Sequence, residues 1–549
     1  MSGGSILWGI NLVYFLAFGS LYIQLPGLIG DDGVAPVRLL DLSSPKTLED
    51  FVLGIPSVIR FRESFNLSAY HAAELLVLIG LSLSFFALAA PQLRGTLSLI
   101  IQWISFFSVV KPLPAPLAWF VETNPTWILR LFTATIVVFD VFVSFLFLVP
   151  IRQLQIFSFV FKFLMHANMM VSGNYGTYNI LSIVLSFALL PPPPPPPSKK
   201  RKRDSFTCRK AASWAVTLAV LAVMCYGVWT VFGLHDGLKS LRIVIPRHAF
   251  VAYARRVMFY TIPISTLLFI FTIITAAFRA LGARGCMNKM LDLSGVLLVS
   301  LLGIGLFVAS LPPLSNLEDT GSVVLLPRSV HEISAALKPL HLANDYRYYH
   351  EHDSNVLMKT PAEGRSTLVL EGAMNENGPW KELSFYHVPD RLEKIPTIIP
   401  GHLPVVDLEV VLSGDKSFEN SPILAILVYR ILTKQKEVLQ LIEPTGFIDG
   451  PKYIRIKKYT YQLTKSMSGK EWWQRRLQNI HLPPTHASTP RLTQLMDKLG
   501  ITGKRRERPA DATVISTSLD KIRAMVGQPH NLNGFYVVLV IVLLMNKLF

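Results

Sequence analysis

The sequence predicts a multi-pass α-helical membrane protein with a C-terminal β-rich, β-sandwich-like domain on the lumenal side of the membrane. Three observations predict it. Long apolar runs follow one another from Met1 to Leu311, a polar and aromatic-studded stretch occupies Pro312 to about Pro529, and basic clusters flank the apolar runs.

The 549 residues are 51% hydrophobic with a mean hydropathy of +0.41, which excludes a single soluble globule. The net charge of +17 gathers in SKKRKR (198–203), in Arg279 to Lys289 and in KRRER (504–508). Clusters beside apolar runs act as topology anchors, so nucleic acid is not an expected partner, whereas the lipid bilayer is. The three cysteines, Cys208, Cys225 and Cys286, all precede Pro312, so the C-terminal domain can form neither a disulfide nor a thiol relay. No Cys/His spacing suits zinc, and neither a metal nor a cofactor is expected.

Residues 1–30 carry no charge up to Pro26 and Gly27, which are expected to end the first helix. Without a basic leader or a cleavage site, the segment reads as a retained signal anchor. Further spans are expected at 75–93, 95–110, 127–149, 155–172, 177–190, 212–234, 258–278 and 293–311, with those at 95–110 and 177–190 short for a crossing. Placing SKKRKR and the Arg279–Lys289 loop in the cytosol puts the N-terminus in the cytosol, and loop 26–74 and the C-terminal domain in the lumen. The expected organisation is a transmembrane bundle over 1–190, a Pro-rich basic cytosolic linker over 191–211 and a second transmembrane group over 212–311. A lumenal β-rich domain over 312–530 and a short C-terminal membrane helix over 531–549 complete it. The seven prolines 191–197 favour a stiff polyproline spacer, with an SH3 or WW ligand as the alternative. The apolar tail 534–547 reads as a last crossing or an interfacial anchor.

Asp140, Lys162 and His166 lie within apolar spans, and Lys162 and His166 share a helix face at i, i+4. They form either a proton-handling site or a structural pair that locks two helices. Asn66 begins the one acceptable glycosylation triplet, a few residues before a span, so partial or no modification is expected.

STLVLEG (366–372) and WKELSFY (380–386), separated by Asn377-Gly378, read as a β-hairpin, and PKYIRIKKYTYQLT (451–464) as a long strand. Ser421 and Pro422 open a helix in which Leu424, Leu427, Val428 and Ile431 recur at helical spacing. Trp472 and Trp473 are adjacent, so their side chains diverge, and each is either a partner contact or a core residue. No Ser/His/Asp array or paired-carboxylate signature stands out in this domain, and no catalytic residue is assigned.

YIQLPGLIGDDGVAP (22–36), PLPAPLAWF (112–120), PIRQLQ (150–155), SGNYGTYNIL (172–181), LVLEG (368–372), GPWKELSFY (378–386), PKYIRIKKYTYQLT (451–464) and EWWQRR (471–476) occur in an order that resembles the lipase maturation factor family, its second branch in particular. The resemblance implies a non-enzymatic multi-pass protein of the endoplasmic reticulum that assists secreted clients, lipoprotein lipase and its relatives, toward an active form. The family's Phe-Gln-Trp-Asp stretch is missing before Pro112, and its Arg-Leu-Asp-Trp motif is reduced to VVDLEV (405–410), keeping Asp407. Two other readings are a membrane enzyme, since the N-terminal bundle distantly resembles vitamin K-dependent gamma-carboxylase with Lys162 or His166 as base, and a glycan-binding module.

Overall fold

The computed structural model describes residues 3–39, 58–94, 113–114, 135, 138, 143–149, 151–174, 177–188, 190, 208–232, 246–282, 285–315, 326–337, 365–444, 446–447, 450–464, 470–502 and 513–548. The chain is a multi-pass membrane protein with a C-terminal β domain, and among the described residues six helices are long and apolar enough to cross a membrane. The span expected at 95–110, most of that at 127–149 with Asp140, the proline run, SKKRKR and KRRER lie outside the described residues. Contacts divide the chain into two compact units, one of residues 1–43, 59–242 and 355–549, the other of 44–58 and 243–354.

In the first unit, α1 (Gly3–Ile29) packs along α2 (Ala69–Ala89). Phe18 of α1 lies over Gly80 of α2 so closely that a Cβ there would meet its ring at 2.3 Å. The helices α3 (Arg152–Ser172) and α4 (Tyr178–Ala188) follow, and α4 packs on α1 where a Cβ on Gly9 would meet Val184 at 2.6 Å. Next, α5 (Cys208–Val231) packs on residues 143–149 through Val220, Leu221 and Met224. Many of its other apolar side chains, Trp214, Leu218 and Tyr226 among them, are exposed, as suits a helix wrapped in lipid.

In the second unit, α6 (Arg247–Leu281) and α7 (Cys286–Ser315) pack together, with the Phe269 and Phe307 rings stacked at 5.5 Å. The amphipathic α8 (Arg328–Leu337) rests on α7, where Ser334 donates to the Ala309 carbonyl.

The C-terminal domain is built on one antiparallel sheet. Its strands are β1 (Arg365–Ala373), β2 (Lys381–Leu383), β3 (Tyr453–Leu463) and β4 (Trp473–His486), in the order β2-β1-β3-β4. The hairpin and the long β3 form where alternating β-branched and aromatic residues place them. Expected to run to 386, β2 stops at Leu383, because the Ser384 carbonyl accepts from Glu443 N–H and the Phe385 N–H donates to buried Asp390 at 2.6 Å. One apolar row crosses the sheet, with Leu383 opposite Leu370, Leu370 opposite Ile456 and Ile456 opposite Leu482. A second sheet was expected to cover this row, but helices do so instead. They are α9 (Val405–Leu412), α10 (Pro422–Leu432), the short α11 (Lys436–Leu439) and α12 (Pro490–Lys498). Leu424, Leu427, Val428 and Ile431 of α10 are fully buried against it, as their helical spacing predicts. At the start of α10 the Ser421 hydroxyl bonds back to the Ser417 carbonyl and caps no helical N–H.

Two more helices tie this domain to α1 and α2. The helix α13 (Val514–Val526) opens with a capping box between Thr513 and Ser516, and α14 (Asn533–Leu548) lies beside α1 with Phe535 against Gly19 and Phe15. The carboxyl end of α1, the amino end of α2 and the C-terminal domain therefore lie on one side of the membrane.

Candidate functional site

At 1.5 Å per residue the 27 residues of α1 extend about 40 Å, roughly 10 Å more than a hydrocarbon core requires. The excess is embedded in the C-terminal domain. Pro26 does not end α1, which runs on to Ile29, and Leu28 and Val34 belong to the same core cluster as Leu370 and Ile456. A Cβ on Gly27 would meet the Glu437 carbonyl oxygen at 2.5 Å, so only glycine permits this approach.

Three polar clamps hold the embedded segment. In the first, Ser20 and Gln24, one turn apart and both buried, engage the backbone ahead of α9. Ser20 Oγ accepts the Leu403 N–H at 2.9 Å, while Gln24 donates to the Leu403 carbonyl at 2.8 Å and accepts the Val405 N–H at 3.0 Å. In the second, the buried Arg430 guanidinium of α10 spans the turn after α1, bonding Asp32 at 3.2 Å, the Gly33 carbonyl at 3.2 Å and the Asp31 carbonyl at 3.0 Å. In the third, Arg523 of α13 bonds Glu74 of α2 at 2.8 Å and the Tyr22 carbonyl at 2.9 Å, with its guanidinium 3.7 Å from the Tyr22 ring centroid. His71 and Asp520 meet beside it at 3.2 Å.

Two histidines and a carboxyl lie against the first clamp. The Ser20 hydroxyl, whose oxygen accepts from Leu403, also hydrogen-bonds with His402 Nδ1, 2.9 Å away. His387 Nδ1 bonds Thr397 Oγ1 at 2.9 Å, and Asp407 accepts the His387 backbone N–H at 2.6 Å. The two imidazoles sit edge to face with centroids 5.6 Å apart, and Tyr386 stacks on His530 at 4.5 Å. Burial pushes His402 down to about 3 and, with help from Lys394, His387 down to about 4. Burial also pushes Asp407 up to about 7, outweighing the stabilising N–H of His387. Both rings are neutral at pH 7, and the cavity they border with Gln24, Gln528 and His530 measures about 20 Å³, room for about one water. Serine, histidine and aspartate types therefore do meet here, but Asp407 bonds a backbone N–H and no histidine ring. The arrangement seats α1.

Trp473 is 2% exposed and donates its indole N–H to the Lys394 carbonyl at 2.7 Å, packing with Val369, Tyr461 and Leu463. Trp472 is half-buried at the rim of that cluster. His166 is buried and bonds Asn179 of α4 at 3.1 Å, and Lys162 is half-buried one turn earlier on α3, while Asp140 lies outside the described residues. Asn66 is exposed just before α2, and Ser68 of its triplet caps that helix by accepting the His71 N–H. Among the described residues no group of three His, Cys, Asp or Glu side chains is placed to hold a metal. The seat went unpredicted because its partners are nearly 400 positions apart. The available signal was Ser20 and Gln24 at i, i+4 in an otherwise apolar helix.

Comparison with known proteins covers both halves. Residues 3–111 and 110–192 match the lipase maturation factor transmembrane domain, and residues 343–483 match the lipase maturation factor C-terminal domain. The first match falls into two pieces that meet where the Phe-Gln-Trp-Asp stretch is missing. Lipase maturation factor 2 of Gallus gallus is 25% identical over 613 aligned residues, covering 92% of this chain and 84% of the relative. The Homo sapiens protein of that name is 24% identical over 620, covering 92% and 86%, and that of Xenopus laevis 24% over 610, covering 92% and 85%. These alignments are longer than the 549-residue chain, so the relatives contain segments that it lacks. No solved structure matches.

Proposed function

This chain belongs to the lipase maturation factor family, and from that membership we propose that it assists the maturation of secreted clients, lipases among them, from the endoplasmic reticulum membrane. The observation that carries the proposal is the ordered match to both family domains. The C-terminal domain faces the lumen and holds incompletely assembled client surface, releasing it on assembly without a cofactor. Charge supports this orientation, since SKKRKR and the Arg279–Lys289 loop belong in the cytosol. The shared side of α1's carboxyl end and the C-terminal domain requires an even number of crossings between them. Among the described residues five long helices lie between, so one further crossing is needed, for which the shorter apolar α4 is the described candidate. The helix α14, beside α1, returns the chain to the cytosol.

The test is loss and rescue in secretory cells. Removing this protein is expected to leave a secreted lipase synthesised at its usual rate but with less of it active and exported, and re-expression is expected to restore it. Unchanged lipase activity per molecule and unchanged export would contradict the proposal.

A further inference from the structure

The outer strand β4 pairs only with β3 among the described residues, which leaves its other flank without a strand neighbour. A free edge exposes unpaired N–H and C=O groups, and natural sheets guard such edges with bulges, prolines or charge. Here Pro483, Pro484 and the register shifts opposite Ile454 to Tyr459 occupy the carboxyl half, while Trp473 to Leu477 pair in regular register. Apolar side chains stand exposed along this strand, Leu477 at 50% and Ile480 at 60%. Beside Ile480 a solvent-open groove of about 340 Å³ runs between β3, β4, the 414–419 loop and the start of α12.

The groove is cationic. Lys416, Lys458 and Arg491 line it together with Asn479 and His481, and its one carboxylate, Glu419, is held by Arg491. His481 reports the local field, since burial and then the charge of Lys458 hold its imidazole below the ordinary range, and its Nε2 is buried without a hydrogen-bond partner among the described residues. A negative group entering here meets a net positive charge, three cations against the carboxylate of Glu419, and offers that nitrogen a partner. The exposed Leu477 and Ile480 and the free strand edge favour a polypeptide over a sugar anion, since strand addition uses main-chain bonds for affinity and alternate side chains for selection.

We propose that the groove at the free edge of β4 binds an extended acidic segment of an incompletely assembled client, held by Lys416, Lys458 and Arg491 and by main-chain bonds to β4. This deepens, and rests on, the holding role proposed above. Once the client completes its own fold, such a segment is no longer free to pair, which supplies release without a cofactor.

The test uses the full chain in detergent micelles and a fluorescent peptide of alternating glutamate and valine, followed by anisotropy. The peptide is expected to bind, more weakly as salt rises, to slow amide exchange within residues 474–481 and to raise the pKa of His481. The double variant Lys416→Glu, Arg491→Glu is expected to bind about tenfold more weakly or worse, a change of about 1.4 kcal/mol, whereas Lys498→Glu, exposed on the same helix, should bind as the parent does. Unfolding of the double variant would leave the exchange and His481 readouts on the parent chain to decide. The proposal is overturned if the double variant binds normally, if Lys498→Glu weakens binding equally, if protection appears outside β4, or if inorganic phosphate displaces the peptide as well as unlabelled peptide does. Client maturation in the folded double variant separates the two readings. Lost peptide binding with normal maturation overturns the groove as client site and leaves the holding role intact. Normal binding by a parent chain whose removal affects no client supports the groove and defeats the role.

Discussion

The Tyr22 carbonyl, which Pro26 leaves without its helical donor, is taken at 2.9 Å by the guanidinium of Arg523, 501 positions away in sequence. Proline within a helix removes one i to i−4 hydrogen bond at a cost of about 3 kcal/mol, and here a side chain from α13 supplies the missing donor. The same guanidinium bonds Glu74, whose residue is fully buried.

Removing one member of such a set strands the others. Arg523→Met is expected to destabilise the protein by about 3–5 kcal/mol, seen as a fall in abundance and in the melting temperature of the purified chain. Adding Glu74→Gln should recover part of the loss by removing the isolated charge, and adding Pro26→Ala should recover part by restoring the helical N–H. Strictly additive losses would show that the three groups do not act together.

The buried histidines predict a pH response of definite sign. Unfolded, the two imidazoles titrate near 6.5 and the carboxyl near 3.8, whereas folded His387 and His402 titrate at about 4 and about 3 and Asp407 at about 7. Between pH 6.5 and 4 the unfolded chain therefore binds two imidazole protons where the folded chain binds one carboxyl proton. Stability falls on acidification through that window by about 1.4 kcal/mol per pH unit from these three groups. Asp407→Asn, which still accepts the His387 N–H, removes the opposing proton and should roughly double that slope. Melting temperatures of both proteins across the window test this, and parallel pH profiles would contradict it.

The two tryptophans are expected to separate. Trp473→Ala removes a core aromatic and an indole hydrogen bond, at about 3–5 kcal/mol, and should deplete the protein. Trp472→Ala, at the half-buried rim, should largely preserve abundance, because the bonds of Trp472 to Leu392 and Thr464 are main-chain bonds. Should Trp472→Ala lower client export at normal abundance, Trp472 belongs to the client surface. Depletion by both variants would make the pair structural.

Asn66 is expected to remain largely unglycosylated, because Ser68 of its triplet caps α2 and the helix begins at Ala69. Endoglycosidase digestion followed by electrophoresis checks this, and a full mobility shift would mean that the first turn of α2 opens in the cell.

The parts of the fold that rest on local periodicity were legible in the sequence. The apolar spans among the described residues, the hairpin, β3 and α10 are each marked along the chain by an apolar run or an alternating or helical pattern. The outer strand β4 was not legible, because WQRRLQNIHLPPTH is exposed on both faces over much of its length and contains two prolines, so it shows neither alternation nor an apolar run. The helical cover of the sheet was hidden for a similar reason, since α9 is buried through Val406, Asp407, Leu408 and Val410 and shows no one-sided pattern. The clamps on α1 were hidden because each joins residues separated by several hundred positions. Local sequence showed only half of each, as buried Ser20 and Gln24, the GDDG turn and Pro26.

The carboxyl end of α1, the amino end of α2 and the C-terminal domain form one folded body, which the proposed orientation places in the lumen. His71 and Asp520, side chains 3.2 Å apart at its surface, allow a direct measurement. In a chain whose native cysteines are replaced, His71→Cys with Asp520→Cys would be treated in sealed microsomes with a short bis-maleimide, and the joined peptides identified by mass spectrometry. An intrachain crosslink is expected with a membrane-permeant reagent and none with an impermeant one until detergent opens the vesicles. No crosslink with either reagent, or a crosslink with the impermeant reagent on intact vesicles, would contradict it.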